Sequence, residues 1–501
     1  MSSTSERAAT GGRRTKLLFG VGAVAYGVKQ TGFGGLLLLF YNQVAGLPAE
    51  RVGLAIMIAM ICDAVLDPVV GQLSDNLRTR WGRRHPFMYA SAIPVAVLYW
   101  LLWTPPLQAS QDVIFAWLVV MAVLVRTAIT FFEIPNSALI PELAKDYDER
   151  TSFLSYRYLF AVAGGAAMGF ATYRIFLTPD ATHAVGQLNP EGYARYGAVA
   201  AVVMATAILV SCLGTHRHIP DLRKAEPSGA SLAQTVREMA QSLANPALAP
   251  ILMAALFGTM ILGVTAGLKI YFDTYLWGLA SEQIALFQLA SLAAALLSVF
   301  VARGLSKPLG KRNAAIVLLA ATVTASCAPI LLRIAGAFPE NDSAWLVPLL
   351  MVEQLLSAMT GIGCMILFSS MLTDVVDDNE LRTGRRSEGL LTAAHSFVQK
   401  SVSGAGALLA GLLLTWVSFP KDASPEAVDP AIVHQLALVY LALAVCMSAA
   451  AMATLARYRI TRASHAATLR ALAAPGGAPS EEAPTPPVPR ARRLFARRRA
   501  P

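Results

Sequence analysis

Charged side chains are scarce in this chain: 14% of its 501 residues are Asp, Glu, Lys or Arg, where a soluble domain carries about 25%. That deficit excludes an ordinary water-facing surface. Cysteine is nearly as sparse. Cys62, Cys212, Cys327, Cys364 and Cys446 all fall in apolar stretches without CxxC or zinc-ligand spacing, so they read as small hydrophobes. Among seven histidines there is no HExxH, no Cys/His ligand cluster and no Ser/His/Asp set, so no enzyme activity and no cofactor are expected. The polar start MSSTSERAATGGRRTK leads into an apolar run far longer than a signal-peptide core, so no cleavable leader is expected.

What the chain has instead is apolar length. Hydrophobic residues make up 55%, and stretches of about 20 can each span a bilayer. Twelve occur, at 17–43, 50–74, 86–105, 112–139, 152–178, 193–214, 247–276, 282–302, 313–335, 344–371, 387–417 and 431–456. The fold class expected is an all-α, multi-pass inner-membrane protein with twelve transmembrane helices in two six-helix bundles. The units are a cytoplasmic N-terminus (1–16), a first bundle (17–214), a cytoplasmic central loop with a short amphipathic helix capped by Ser231 (215–246), a second bundle (247–456) and a basic tail (457–501).

Orientation follows from Lys and Arg. Seventeen lie in the N-terminus and the 2–3, 4–5, 8–9 and 10–11 loops, against five (Arg51, Arg174, Arg195, Arg333, Lys421) on the opposite side. Both termini are therefore expected in the cytoplasm. The tail, with arginines at 457, 459, 462 and 470, reads as a partly helical extension beside anionic lipid, and from Pro475 as a Pro-rich, then Arg-rich disordered segment. Its partner is the bilayer rather than nucleic acid.

The halves repeat weakly. GQLSDNLRTRWGRR from Gly71 and RGLSKPLGKR from Arg303 align Gly82 with Gly310 at an offset of 228, and the loops from Pro141 and Thr373 sit about 232 apart. A parallel six-plus-six repeat implies a substrate site between the halves near the midplane.

Within the apolar segments stand a few ionisable residues: Lys29, Arg126, Arg157, Lys269 and Lys400, with Asp63, Asp67, Glu133 and Glu353. A charge at mid-membrane costs roughly 2.5–3.5 kcal/mol, so such groups face a bundle interior or cavity and pair with one another. Asp63 and Asp67 are four apart, one turn along one helix face. Two carboxylates so placed repel unless a cation joins them, and Na⁺, H⁺ or a basic partner such as Lys400 can do so. On helix 4, Arg126, Thr130 and Glu133 share a face, and Pro135 precedes Asn136. Thr130 adds an oxygen of the kind a hard cation prefers. Helix 1 carries Tyr26 and Lys29 among glycines at 20, 22, 27, 32, 34 and 35, which allow close packing or a bend.

Taken together, Asp63-Ala-Val-Leu-Asp67-Pro68, the loop from Gly71 to Arg84, Glu133-Ile-Pro with Pro141-Glu142-Leu, and Thr383-Gly-Arg-Arg-Ser-Glu388-Gly followed by Lys400 resemble the glycoside–pentoside–hexuronide:cation symporters of the major facilitator superfamily. The resemblance runs over roughly 17–456 and implies a monomeric transporter of two six-helix bundles working by alternating access. It implies that Asp63, Asp67, Thr130 and Lys400 form the cation-coupling site, with Na⁺ or H⁺ as coupling ion. Glu133 and Arg157 then meet a small-molecule substrate, with Lys29, Arg126, Tyr26 and Asn136 beside them. Gly71, Asp75, Arg80, Gly82, Arg83, Arg84 and Glu142 form the cytoplasmic gate, with Arg385 and Glu388 its second-half counterpart. The pattern departs at Gly34, where sugar-transporting members have an aspartate, and at Ser137, where they have a tryptophan. Lys29, Arg126 and Lys269 are additions. The expected cargo is a sugar, glycoside or related solute; the alternative is an anionic amphiphile such as a lysophospholipid, or a hexuronide.

Overall fold

The computed structural model describes residues 12–144, 146–221, 249–383, 388–458 and 460–473. The first eleven residues, most of the central loop with its Ser231 helix, Arg385, the side chain of Glu388 and the tail beyond 473 lie outside the described residues.

The expectation of an all-α membrane fold holds. Eleven helices among the described residues are long and apolar enough to cross a bilayer. They are α1 (Arg13–Val44), α2 (Ala49–Asn76), α3 (His85–Leu102), α4 (Gln111–Leu143), α5 (Asp148–Phe176), α6 (Pro190–His216), α7 (Ala249–Leu276), a 54-residue helix Ser281–Ile334, α10 (Leu346–Asp377), α11 (Ser396–Trp416) and α12 (Pro430–Leu455). At 1.5 Å per residue, 54 residues extend about 80 Å, more than twice a hydrocarbon core. That helix therefore holds two spans, α8 (281–309) and α9 (311–334), which part at Gly310, where φ is 75°. Where the sequence predicts a loop over 303–312, the structure stays helical up to Gly310, whose positive φ suits a residue without a Cβ. Gly82, its partner at the 228-residue offset, also has φ 75°. A short helix, α13 (Arg462–Ala473), follows the last span.

Helix α1 is not straight. Gly34 (φ −82°, ψ 27°) and Gly35 (φ 134°) break it, and a Cβ on Gly35 would stand 2.5 Å from the Ala266 carbonyl oxygen of α7. The break thus lets α1 touch α7 backbone to backbone.

The first six spans pack chiefly on one another, as do the last six, and the two sets meet where α2 faces α11, α5 faces α8 and α1 faces α7. Small residues make the α2–α11 contact close: a Cβ on Gly53 would be 2.7 Å from the Ala407 oxygen, and one on Gly411 2.2 Å from the Ala49 oxygen. This contact places Lys400 of α11 beside Asp63 and Asp67 of α2. Polar bonds between the sets gather at the end opposite the basic loops. Tyr271 donates to Asn42 Oδ1 (2.8 Å), Gln43 to the Pro420 carbonyl (2.9 Å), Tyr275 to Gln43 Oε1 (3.2 Å) and Gln187 to the Leu279 carbonyl (2.9 Å).

Candidate functional site

Two joined clusters of charge occupy the middle of the first six spans. In the first, Asp63 is 1% exposed and takes three donors: Arg126 Nη2 at 2.7 Å and Thr130 Oγ1 at 2.7 Å from α4, and Lys400 Nζ at 3.0 Å from α11. The same Nζ donates to Asp67 Oδ2 at 2.5 Å. Asp67 Oδ1 is buried and accepts no hydrogen bond, and Arg126 Nε and Nη1 are likewise without acceptors. A buried carboxylate oxygen with no protein donor is a candidate ligand for a small cation. The Arg126 plane also lies 5.3 Å from the Phe33 ring centroid.

In the second cluster, Glu133 meets Lys29 at 3.2 Å and Arg157 at 3.6 Å. Arg157 also donates to Ser137 Oγ at 2.8 Å, and Lys29 lies 4.7 Å from the Tyr26 ring centroid. Across both clusters four basic side chains (Lys29, Arg126, Arg157, Lys400) face three acidic ones (Asp63, Asp67, Glu133).

The structure therefore gathers Asp63, Asp67, Thr130 and Lys400 as one group, and Tyr26, Lys29, Glu133 and Arg157 as another. Two of the expected binding residues stand elsewhere. Arg126 turns to Asp63 rather than to Glu133, because α2 packs directly on that turn of α4. Asn136 is 2% exposed and donates to Ser211 of α6 at 3.3 Å, so its short amide is spent on helix packing.

At the end with the basic loops, Glu142 joins Arg83 and meets Arg84 at 2.9 Å, while Asp75 meets Arg84 at 3.3 Å and Arg83 at 3.7 Å. Gly82 turns this loop with φ 75°, while Gly71 lies within α2 and its carbonyl accepts from Ser74. Arg80 takes no part in these ion pairs; its guanidinium lies 5.8 Å from the Trp81 ring centroid. The second half repeats the device: Lys311, 228 residues after Arg83, meets Asp374, 232 after Glu142, at 2.6 Å.

A cavity of about 780 Å³ lies between α1 and α5 on one side and the last six spans on the other. Tyr26 and Gly34 line it from α1; Lys269, Asp273, Phe287 and Glu353 line it from α7, α8 and α10. No atom lies within 4 Å of where a Gly34 Cβ would sit. Glu133 and Arg157 are not among its walls. Asp273, 3% exposed and bound by Lys269 at 2.8 Å, escaped the sequence reading. Its signal was there in Lys269-x-x-x-Asp273, an i,i+4 pair on one helix face.

The family described as MFS/sugar transport protein matches residues 18–462. Among curated relatives, "Inner membrane symporter YicJ" of Escherichia coli (strain K12) is 26% identical over 85% of this chain and 87% of its own length. "Sphingosine-1-phosphate transporter MFSD2B" of Mus musculus is 28% identical over 79% of this chain and 78% of its own. Among solved structures, that of the nucleoside transporter NupG superposes with a TM-score of 0.59 at 12% identity, covering 89% of this chain and 99% of that one, and shares the fold.

Proposed function

Because the chain belongs to the MFS/sugar transport protein family, we propose that it is a cation-coupled symporter of a sugar, glycoside or related small solute. It sits in the inner membrane with both termini in the cytoplasm and acts as a monomer. Its two six-helix sets, divided at 215–246, rock about the site between them. The observation that carries this reading is the Lys400 bridge: one ammonium from α11 holds Asp63 and Asp67 of α2 while Asp67 Oδ1 stays orphaned.

A Na⁺ or H⁺ arriving at Asp67 satisfies that oxygen and competes with Lys400 for both carboxylates. Thr130 offers a further oxygen to Na⁺. When the cation binds, the tie between α2 and α11 weakens, so occupancy changes the free energy of moving one set against the other. A coupling cation thus acts through charge substitution at an interface rather than through any covalent step. Solute then enters between α1 and the second set of spans, with Glu133 and Arg157 charged behind it.

A second reading, an anionic amphiphile or hexuronide, is favoured by the excess of one basic side chain in the twin clusters and by the similarity to MFSD2B. Uptake into proteoliposomes decides among these. Glucosides, glucuronides and lysophospholipids are offered with an imposed Na⁺ gradient, an H⁺ gradient or neither. Gradient-driven accumulation that disappears in Asp63→Asn and Asp67→Asn is expected; full accumulation in both variants defeats the coupling assignment.

A further inference from the structure

Glu353 is the ionisable group that the scheme above leaves unused. It lies seven residues into α10, about 10 Å from the start of that span, and lines the cavity. Lys269 on α7 is the basic residue of this wall, and it is committed: its Nζ donates to Asp273 at 2.8 Å and lies 4.9 Å from the Phe287 ring centroid. Among the described residues no Lys, Arg or His nitrogen comes within 4.0 Å of the Glu353 carboxyl group.

The other groups that face it are neutral. Cys327 comes from α9 and Tyr440 from α12, where the Tyr440 hydroxyl pairs with Thr265 at 3.1 Å. On α10 itself Ser357 stands one turn on, its hydroxyl donating to the Gln354 carbonyl at 3.4 Å. Gln354 is turned to Ser291 of α8 at 2.9 Å, and Gln288 of α8 completes the polar rim. Lys269 also acts on Glu353 at longer range, but with Asp273 in direct contact with it the wall sets two carboxyl groups against one positive charge. A carboxylate without a contacting cation is costly inside a span, and a proton removes that cost with no other reactant.

We propose that Glu353 is a proton-binding group of the solute cavity, separate from Asp63 and Asp67. Carboxylate and proton combine to the neutral acid, which the Ser357 hydroxyl and cavity water can hydrogen-bond; the proton leaves when solute or a cationic group enters and stabilises the carboxylate. Solute occupancy and proton occupancy therefore share one cavity on the second set of spans. Cation occupancy is settled elsewhere, on the first set.

The inference does not rest on the Asp63/Asp67 assignment, and infrared spectroscopy of the purified full-length protein in detergent tests it without knowledge of the solute. At neutral pH the wild type is expected to show the carbonyl stretch of a protonated carboxylic acid. Glu353→Gln is expected to lose that band, the Asp63→Asn/Asp67→Asn double variant to keep it, and Glu353→Asp to keep a displaced one. Because Gln matches the neutral acid in shape and charge, Glu353→Gln is also expected to melt at the wild-type temperature. A band of full intensity in Glu353→Gln, or no protonated-acid band in the wild type, overturns the proposal.

Discussion

Lys400 Nζ stands 2.5 Å from Asp67 and 3.0 Å from Asp63, so a single side chain of α11 spans both carboxylates of α2. Lys400 is 22% exposed, so its removal is expected to cost less than the 3–5 kcal/mol typical of a fully buried pair. Lys400→Met should lower the melting temperature in detergent, and adding Asp67→Asn should restore part of the loss. If the double variant is no more stable than the single, the two residues are not coupled.

Thr130 gives Asp63 one of its three bonds. Thr130→Val keeps the shape and removes the hydroxyl. It is expected to destabilise by about 1.5–3 kcal/mol, the range for a hydrogen bond to a charged group. Under the coupling scheme it also weakens Na⁺ dependence of uptake more than H⁺ dependence, because a proton needs no second oxygen. Equal loss under both gradients would argue for a purely structural threonine.

Gly34 and Gly35 should answer alanine oppositely. Gly35→Ala puts a Cβ 2.5 Å from the Ala266 oxygen at a φ of 134° and is expected to cost at least about 1–3 kcal/mol. Gly34→Ala meets open space and should fold normally. Expression and thermal melts of the two variants side by side give the comparison; a tolerated Gly35→Ala would mean that α1 can straighten away from α7.

Glu142 holds Arg83 and Arg84 together, and its Oε2 is buried without a partner. Glu142→Gln leaves two guanidinium groups crowded against Asp75 alone. Thermal stability should fall, and the fall should shrink as salt is raised, since added ions screen the remaining repulsion at this loop. A salt-independent loss would point to packing rather than charge.

The gathering of Asp63, Asp67 and Lys400 was legible because its chemistry is rare against its background. Asp63, Asp67 and Lys400 stand in apolar stretches where each charge demands a partner, and a four-residue spacing sets the two acids on one face. The partner of Arg126 was not legible: spacing along α4 allows it to serve Asp63 or Glu133, and only the packing of α2 on α4 chooses. The partner of Asn136 was hidden for the same reason, since Ser211 of α6 accepts from it. Asp273 was hidden by its place three residues from the end of an apolar span. The glycines of α1 announced freedom, but the break at Gly34 and Gly35 depends on where Ala266 stands. The offset that aligned Gly82 with Gly310 proved to mark a shared backbone angle, because a positive φ needs the same residue in both halves.

The bonds that join the two sets of spans opposite the basic loops come largely from amides and phenols (Asn42, Gln43, Gln187, Tyr271 and Tyr275), beside one ion pair, Arg174 of α5 with Glu282 of α8, and the bond from Thr415 to Glu50. Each such neutral bond is worth about 0.5–1.5 kcal/mol net of water, because water offers the same groups nearly equivalent partners. Parting at that face is thus mostly an exchange of solvent for protein, with electrical work confined to the exposed Arg174–Glu282 pair. Ionic strength and membrane voltage should act on the loops that carry Arg83, Arg84 and Lys311 and on the Arg174–Glu282 pair, while the amides and phenols yield mainly to solutes that change the activity of water.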